Sequence, residues 1–137
     1  MVKVIMNEKG SGKTKNIIDL IRKAADEEQG NVVCIEKGSE LTYDIPYRVR
    51  LVQAKDYGFT TYEFLQGFIS GLHAGNYDIT HIFIDGHFKV VCEDAPISKV
   101  EAFLDWCESF SNKQNVKFTI TISSGVELAT QGMKKYF

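Results

Sequence analysis

The stretch Asn7-Glu8-Lys9-Gly10-Ser11-Gly12-Lys13-Thr14 follows the apolar run Val2 to Met6 and precedes a helical pattern that begins at Lys13. No other segment restricts the fold so much. Two glycines one residue apart permit a tight turn between a strand and a helix, and an inner strand followed at once by a helix is the opening unit of a layered α/β domain. From Lys13 to Gln29, Ile17, Ile18, Leu20, Ile21, Ala24 and Ala25 recur at every third or fourth position, and Gly30 stops the pattern. One face of this helix is therefore expected to lie on a sheet.

Further strands are expected at Asn31 to Ile35, Arg48 to Val52, His81 to Asp85 and Val116 to Ile122, the last with strict alternation. Whether the second and third of these run parallel is open at this level. Capping-box sequences at Thr60 to Glu63, Ser98 to Glu101 and Ser124 to Glu127 predict three helix starts. In the helix ending at Gly75-Asn76, Gly67, Gly71 and Gly75 share one face. Each interior glycine costs about 1 kcal/mol relative to alanine, which suggests close backbone approach from the domain's own sheet or from a second subunit. Strands alternating with helices give an α/β, three-layer architecture with a mainly parallel sheet of about five strands.

Composition narrows the class further. The 137 residues, 44% hydrophobic and 25% charged, suit a single domain over 1–137 with no linker and no repeat. A net charge of −2 leaves no global positive field for nucleic acid or anionic lipid, so neither is expected as a partner. No apolar run approaches the roughly 18 residues that span a bilayer, and the apolar start is too short for a signal-peptide core, so the chain is expected to be cytoplasmic. Cys34, Cys92 and Cys107 are odd in number and lack CxxC spacing, which argues against a disulfide framework and against structural zinc. His73, His81 and His87 show no metal-ligand spacing and read as ordinary surface or core histidines.

The glycine turn carries a chemical implication. Small residues let successive amides point inward at phosphate oxygens, and the following helix adds unpaired N–H groups and a positive dipole end. Gly10 and Gly12 suit the amide cradle, Lys13 can reach the β and γ phosphates, and the Thr14 hydroxyl can serve Mg²⁺. The candidate binding residues are thus Asn7, Glu8, Lys9, Gly10, Ser11, Gly12, Lys13, Thr14 and Lys15. The stretch resembles a Walker A loop, GxxxxGK[ST], departing from it at Asn7 in place of the first Gly. Asparagine tolerates the left-handed region better than other non-glycine residues, so the loop is expected to survive the change. Asp85, at the end of an apolar strand, resembles a Walker B aspartate and would lie beside the loop. Ser123 and Ser124 occupy the place of a polar sensor residue, or Ser124 merely caps the last helix.

Taken in order along the chain, these features resemble the P-loop NTPase superfamily, nearest to its RecA-like and additional-strand ATPases, and small bacterial proteins labelled as related to the twitching-motility pilus ATPase. The resemblance implies ATP, with GTP as the alternative, and Mg²⁺ as cofactors, with Lys13 and Asp85 as catalytic residues and Thr14 and Asp85 at the metal. It also implies a sheet shorter than the family core, with the loop-bearing strand near one edge. The carboxylate that polarises water in such ATPases commonly follows the Walker B Asp, where this chain has Gly86. His87, Glu93 and Asp94 come next, and Arg22, Arg48 and Arg50 are the only arginines. The expectation is therefore weak or partner-dependent hydrolysis, helped by an unknown protein partner or a further copy of the chain. A nucleotide-responsive interaction protein without catalysis and a small phosphotransferase are the alternatives.

Overall fold

Five short segments assemble into one sheet: β1 (Val2–Asn7), β2 (Asn31–Glu36), β3 (Arg50–Gln53), β4 (Ile79–Asp85) and β5 (Lys117–Ser123). The computed structural model describes residues 1–7, 13–38, 41, 43–86, 91 and 96–137. The strand order is β1-β5-β4-β2-β3 and every pairing is parallel. This settles the relation of β2 and β3 and places β1 at an edge, as the resemblance implies.

Among the described residues four helices complete the layers: α1 (Lys13–Glu27), α2 (Tyr62–Gly75), α3 (Ile97–Gln114) and the single turn α4 (Gln131–Lys134). Parallel strands need crossovers of one hand, so a helix falls on one face when the chain moves one way across the sheet and on the other face when it returns. From β1 the chain moves outward to β2 and β3, and α1 covers the first face with Ile17, Ile21 and Ala24 against Val32, Cys34 and Phe83. It then returns through β4 and β5, and α2 and α3 cover the second face. There Leu65, Ile69, Phe103, Leu104 and Cys107 pack with Ile82, Ile84, Phe118, Ile120 and Ile122. Each fully buried Ile, Leu or Phe contributes about 1.5–3 kcal/mol, so the two clusters hold the three layers together.

The helix starts differ from expectation. Thr61, not Thr60, caps α2, accepting from the Phe64 amide at 3.0 Å. Helix α3 begins at Ile97 behind Pro96, one residue before the expected Ser98 cap and with no side-chain cap. Proline at that position already holds the extended geometry of an N-cap, so the serine is not needed. The segment after Ser124 is a 3₁₀ turn, Val126–Leu128, without a side-chain cap, and Thr130 caps α4 instead. Thr119 and Thr121 alternate as expected but do not face water: both are buried, Thr119 against His81 and Thr121 against Asp85 and Gly86.

Of the two readings of the α2 glycine stripe, approach by the domain's own sheet is not found: a Cβ added at Gly67, Gly71 or Gly75 meets nothing within 4 Å among the described residues. Gly30 is the position where approach is tight, since a Cβ there would lie 2.2 Å from the Asp78 carbonyl oxygen. Cys34 and Cys107 are buried free thiols, and Cys92 lies outside the described residues.

Candidate nucleotide site

All five strands point the same way, so their carboxyl ends share one edge of the sheet. Open parallel sheets bind ligands along that edge, in the crevices where neighbouring strands send their following segments to opposite faces. One such crevice lies between β4 and β2, because the segment after β2 packs with α1 through Leu41 and Val49 while α3 follows β4 on the other face. At its rim Glu36 and Asp85 are register partners on adjacent strands, which lie about 4.8 Å apart. Both extend the α1-facing series Val32, Cys34, Glu36 and His81, Phe83, Asp85. Cys34 reports their charges directly: burial pushes its thiol well above the usual range, and the negative charges of Asp85 and Glu36 push it further.

Asp85 is half-buried and held by a side chain that sequence reasoning missed. The Thr121 hydroxyl donates to Asp85 Oδ1 at 2.7 Å, and the Gly86 amide donates to Thr121 Oγ1 at 2.8 Å. Gly86 has φ of +69°, in the left-handed region that favours glycine, so the turn after β4 needs this residue. Glu36 is 3% exposed, and its carboxylate accepts from the Leu41 amide at 3.2 Å. A buried carboxylate is costly unless it is hydrogen-bonded, which makes its presence at a strand end worth explaining. The strand Asn31 to Ile35 was legible in the sequence, but only the strand order shows that the chain returns to place β4 beside β2.

The expected site residues divide along what is described. Glu8, Lys9, Gly10, Ser11 and Gly12 lie outside the described residues, as do the side chains of Asn7, Lys13 and Thr14, although Asn7 ends β1 and Lys13 opens α1. Lys15 is exposed on α1. Asp85 ends an inner strand as expected, but β5 stands between it and β1, so it is not the direct neighbour of the strand that leads into the glycine turn. Ser123 is the register partner of Asn7, while Ser124 caps no helix and donates its amide to the Ile122 carbonyl. His87, Glu93 and Asp94 lie outside the described residues.

The arginines and the other histidines serve packing. The Arg22 guanidinium donates to the Asp44 carbonyl, and Arg48 pairs with Asp26 and the Ala25 carbonyl, tying the segment before β3 to α1. Arg50 is exposed at the start of β3, away from the carboxyl edge. His73 packs edge-on against Tyr77 and Phe110, and His81 stacks on Phe83. Among the described residues no group of three His, Cys, Asp or Glu could hold a metal ion by itself.

Comparison with known proteins adds one finding. The chain matches no family model and no curated protein. Among solved structures it is similar to the crystal structure of flagellar accessory protein FlaH from Methanocaldococcus jannaschii, with a TM-score of 0.62 and 8% identity. The fold is RecA-like. The match covers 98% of this chain but only 65% of the FlaH chain, so at this identity the likeness is one of architecture. Among the described residues no helix is long and apolar enough to cross a membrane.

Proposed function

We propose that the chain binds a nucleoside triphosphate with Mg²⁺, ATP first and GTP as the alternative, on Asn7 to Thr14, and hydrolyses it slowly or only with a partner. The observation that carries this reading is the gathering of Asp85, Thr121 and Glu36 on the same sheet edge to which β1 delivers the glycine turn. From the end of β1 to the end of β4 is two strand spacings, about 9.6 Å, with a two-residue offset along the strands. That span suits a polyphosphate chain with its cation better than a single phosphate.

In this reading the amides of residues 8–12 and the Lys13 ammonium hold phosphate oxygens, and Lys15 adds exposed positive charge nearby. The donor set fits Mg²⁺, a hard cation that prefers oxygen: one Asp85 oxygen is committed to Thr121, and among the described residues Oδ2 has no partner. Thr14 and Asp85 would serve the ion. When bound, the cation neutralises charge on the phosphate oxygens. Glu36 replaces the carboxylate expected after Asp85: fixed by the Leu41 amide, it can accept a proton from a water beside Asp85. Among the described residues no arginine stands at this edge to meet developing charge on the transferring phosphoryl group, which supports slow turnover.

Titration with fluorescent ATP and GTP analogues in Mg²⁺ tests the reading. Binding that Lys13→Ala abolishes is expected; no binding at millimolar nucleotide, or equal binding by the variant, overturns it. A nucleotide-responsive interaction protein is the second reading, favoured by the open glycine face of α2. Steady turnover near 1 per second by the isolated monomer, typical of enzymes, would count against it.

A further inference from the structure

We infer that Thr121 is the positioning residue that fixes the Asp85 carboxylate, leaving Oδ2 as the oxygen offered to the cation of a bound nucleotide; the second half of this inference rests on the nucleotide reading. Chemistry sets the direction of both hydrogen bonds. The Gly86 amide can only donate, so Thr121 Oγ1 accepts from it at 2.8 Å. The single hydroxyl hydrogen then goes to the remaining neighbour, Asp85 Oδ1, at 2.7 Å. Thr121 is 0% exposed, so no water competes for either bond.

The consequence is orientational. The terminal torsion of an aspartate is broad and roughly two-fold, so a carboxylate at a strand end is not held by its own rotamer preference. Thr121 removes that freedom by engaging one oxygen. It also ties the carboxylate to the backbone at Gly86, whose left-handed conformation turns the chain away from β4. Because β5 lies between β1 and β4, with Thr121 the register partner of Ile5, one side chain on the strand beside β1 engages the carboxylate at the end of β4. β-Branching stiffens this link, since few χ1 rotamers remain to threonine in a packed strand.

The test combines three variants with two readouts. Without nucleotide, the Asp85 side-chain carboxyl ¹³C resonance at neutral pH should move in Thr121→Val, with the Gly86 amide resonance, and return toward the parent in Thr121→Ser. With nucleotide, Thr121→Val should raise the Mg²⁺ concentration for half-maximal tightening by about tenfold, as for loss of a hydrogen bond to a charged group, while affinity in EDTA stays within about twofold. Thr121→Ser should restore the Mg²⁺ response, and Thr121→Val added to Asp85→Asn should change it no further. Should the valine variant not fold, Thr121→Cys, a weak donor of similar size, takes its place.

An unmoved Asp85 resonance, or Mg²⁺ curves parallel to the parent's, overturns the assignment. If the parent binds no nucleotide at all, the nucleotide reading falls and takes the role toward the cation with it. The resonance arm still reports whether Thr121 holds the carboxylate, so the two failures are told apart.

Discussion

Acid should weaken this fold through His81. The ring lies 8% exposed against Phe83, with Nε2 2.9 Å from Thr119 Oγ1 and Nδ1 3.9 Å from Glu28 Oε2 but without a hydrogen-bond partner among the described residues. Burial pulls its pKa from the ordinary 6.5 down to about 4; the Glu28 charge opposes this, and Lys117 and the amino terminus assist it. The sign follows from proton uptake. Below about pH 6.5 the unfolded chain protonates this histidine and the folded chain does not, so stability falls as pH drops and levels off near pH 4. Those two values give a loss of about 2 kcal/mol between pH 7.5 and pH 5, at 1.36 kcal/mol per unit. For a chain of this size that is about 6 °C in Tm. Glu28, whose carboxyl is lowered by Lys117 and Thr80 against the raising effect of its own burial, sheds its contribution only below the usual 4.5 and so acts outside this window. Urea denaturation of the parent and of His81→Gln at pH 7.5 and 5.0 measures the difference. The variant should lose about 2 kcal/mol less than the parent on acidification; equal losses would show that His81 is not held neutral in the fold.

Glu36→Gln should cut turnover at saturating nucleotide by about 10²-fold or more while leaving affinity within about threefold, and unchanged turnover would remove Glu36 from the chemistry. Asp85→Asn should bind ATP as well as or better than the parent in EDTA and worse in excess Mg²⁺, because the carboxylate acts on phosphate mainly through the cation; parallel affinity curves across a Mg²⁺ series would refute this. Gly67→Ala and Gly71→Ala should each stabilise the protein by about 0.5–1 kcal/mol, since a methyl there meets open space, whereas a loss in thermal denaturation would mean that the face is covered. Gly30→Ala should destabilise by about 1–3 kcal/mol, because its Cβ would collide with the Asp78 carbonyl, and a neutral result would refute that contact.

The sequence carried the layers because periodicity reports burial directly. Ile17, Ile21 and Ala24 on one helix face and Phe118, Ile120 and Ile122 on one strand face are buried as their spacing implies. Helix starts were less legible, since several Thr and Ser residues near each boundary can cap and only backbone geometry chooses among them: Thr61 won over Thr60, and Pro96 made Ser98 unnecessary. The three glycines of α2 left two readings open for a related reason. A glycine's cost in a helix is intrinsic, but what it gains depends on a neighbour that spacing alone does not specify.

Asp85 was legible because an acidic residue ending an apolar strand stands out locally. Glu36 and Thr121 were not, because each gains its meaning from a strand distant in sequence. Glu36 ends a strand that is expected from its apolar run, yet it becomes a site residue only when β4 returns beside β2. Thr121 reads as the polar half of an alternating strand, and an alternating strand normally turns that half to water. Insertion of β5 between β1 and β4 places it instead in a dry layer, where a hydroxyl without partners would be costly and where Asp85 and Gly86 supply both. The inserted strand that moves Asp85 away from β1 therefore also supplies the side chain that holds it. Separation and restraint at this edge have one structural cause.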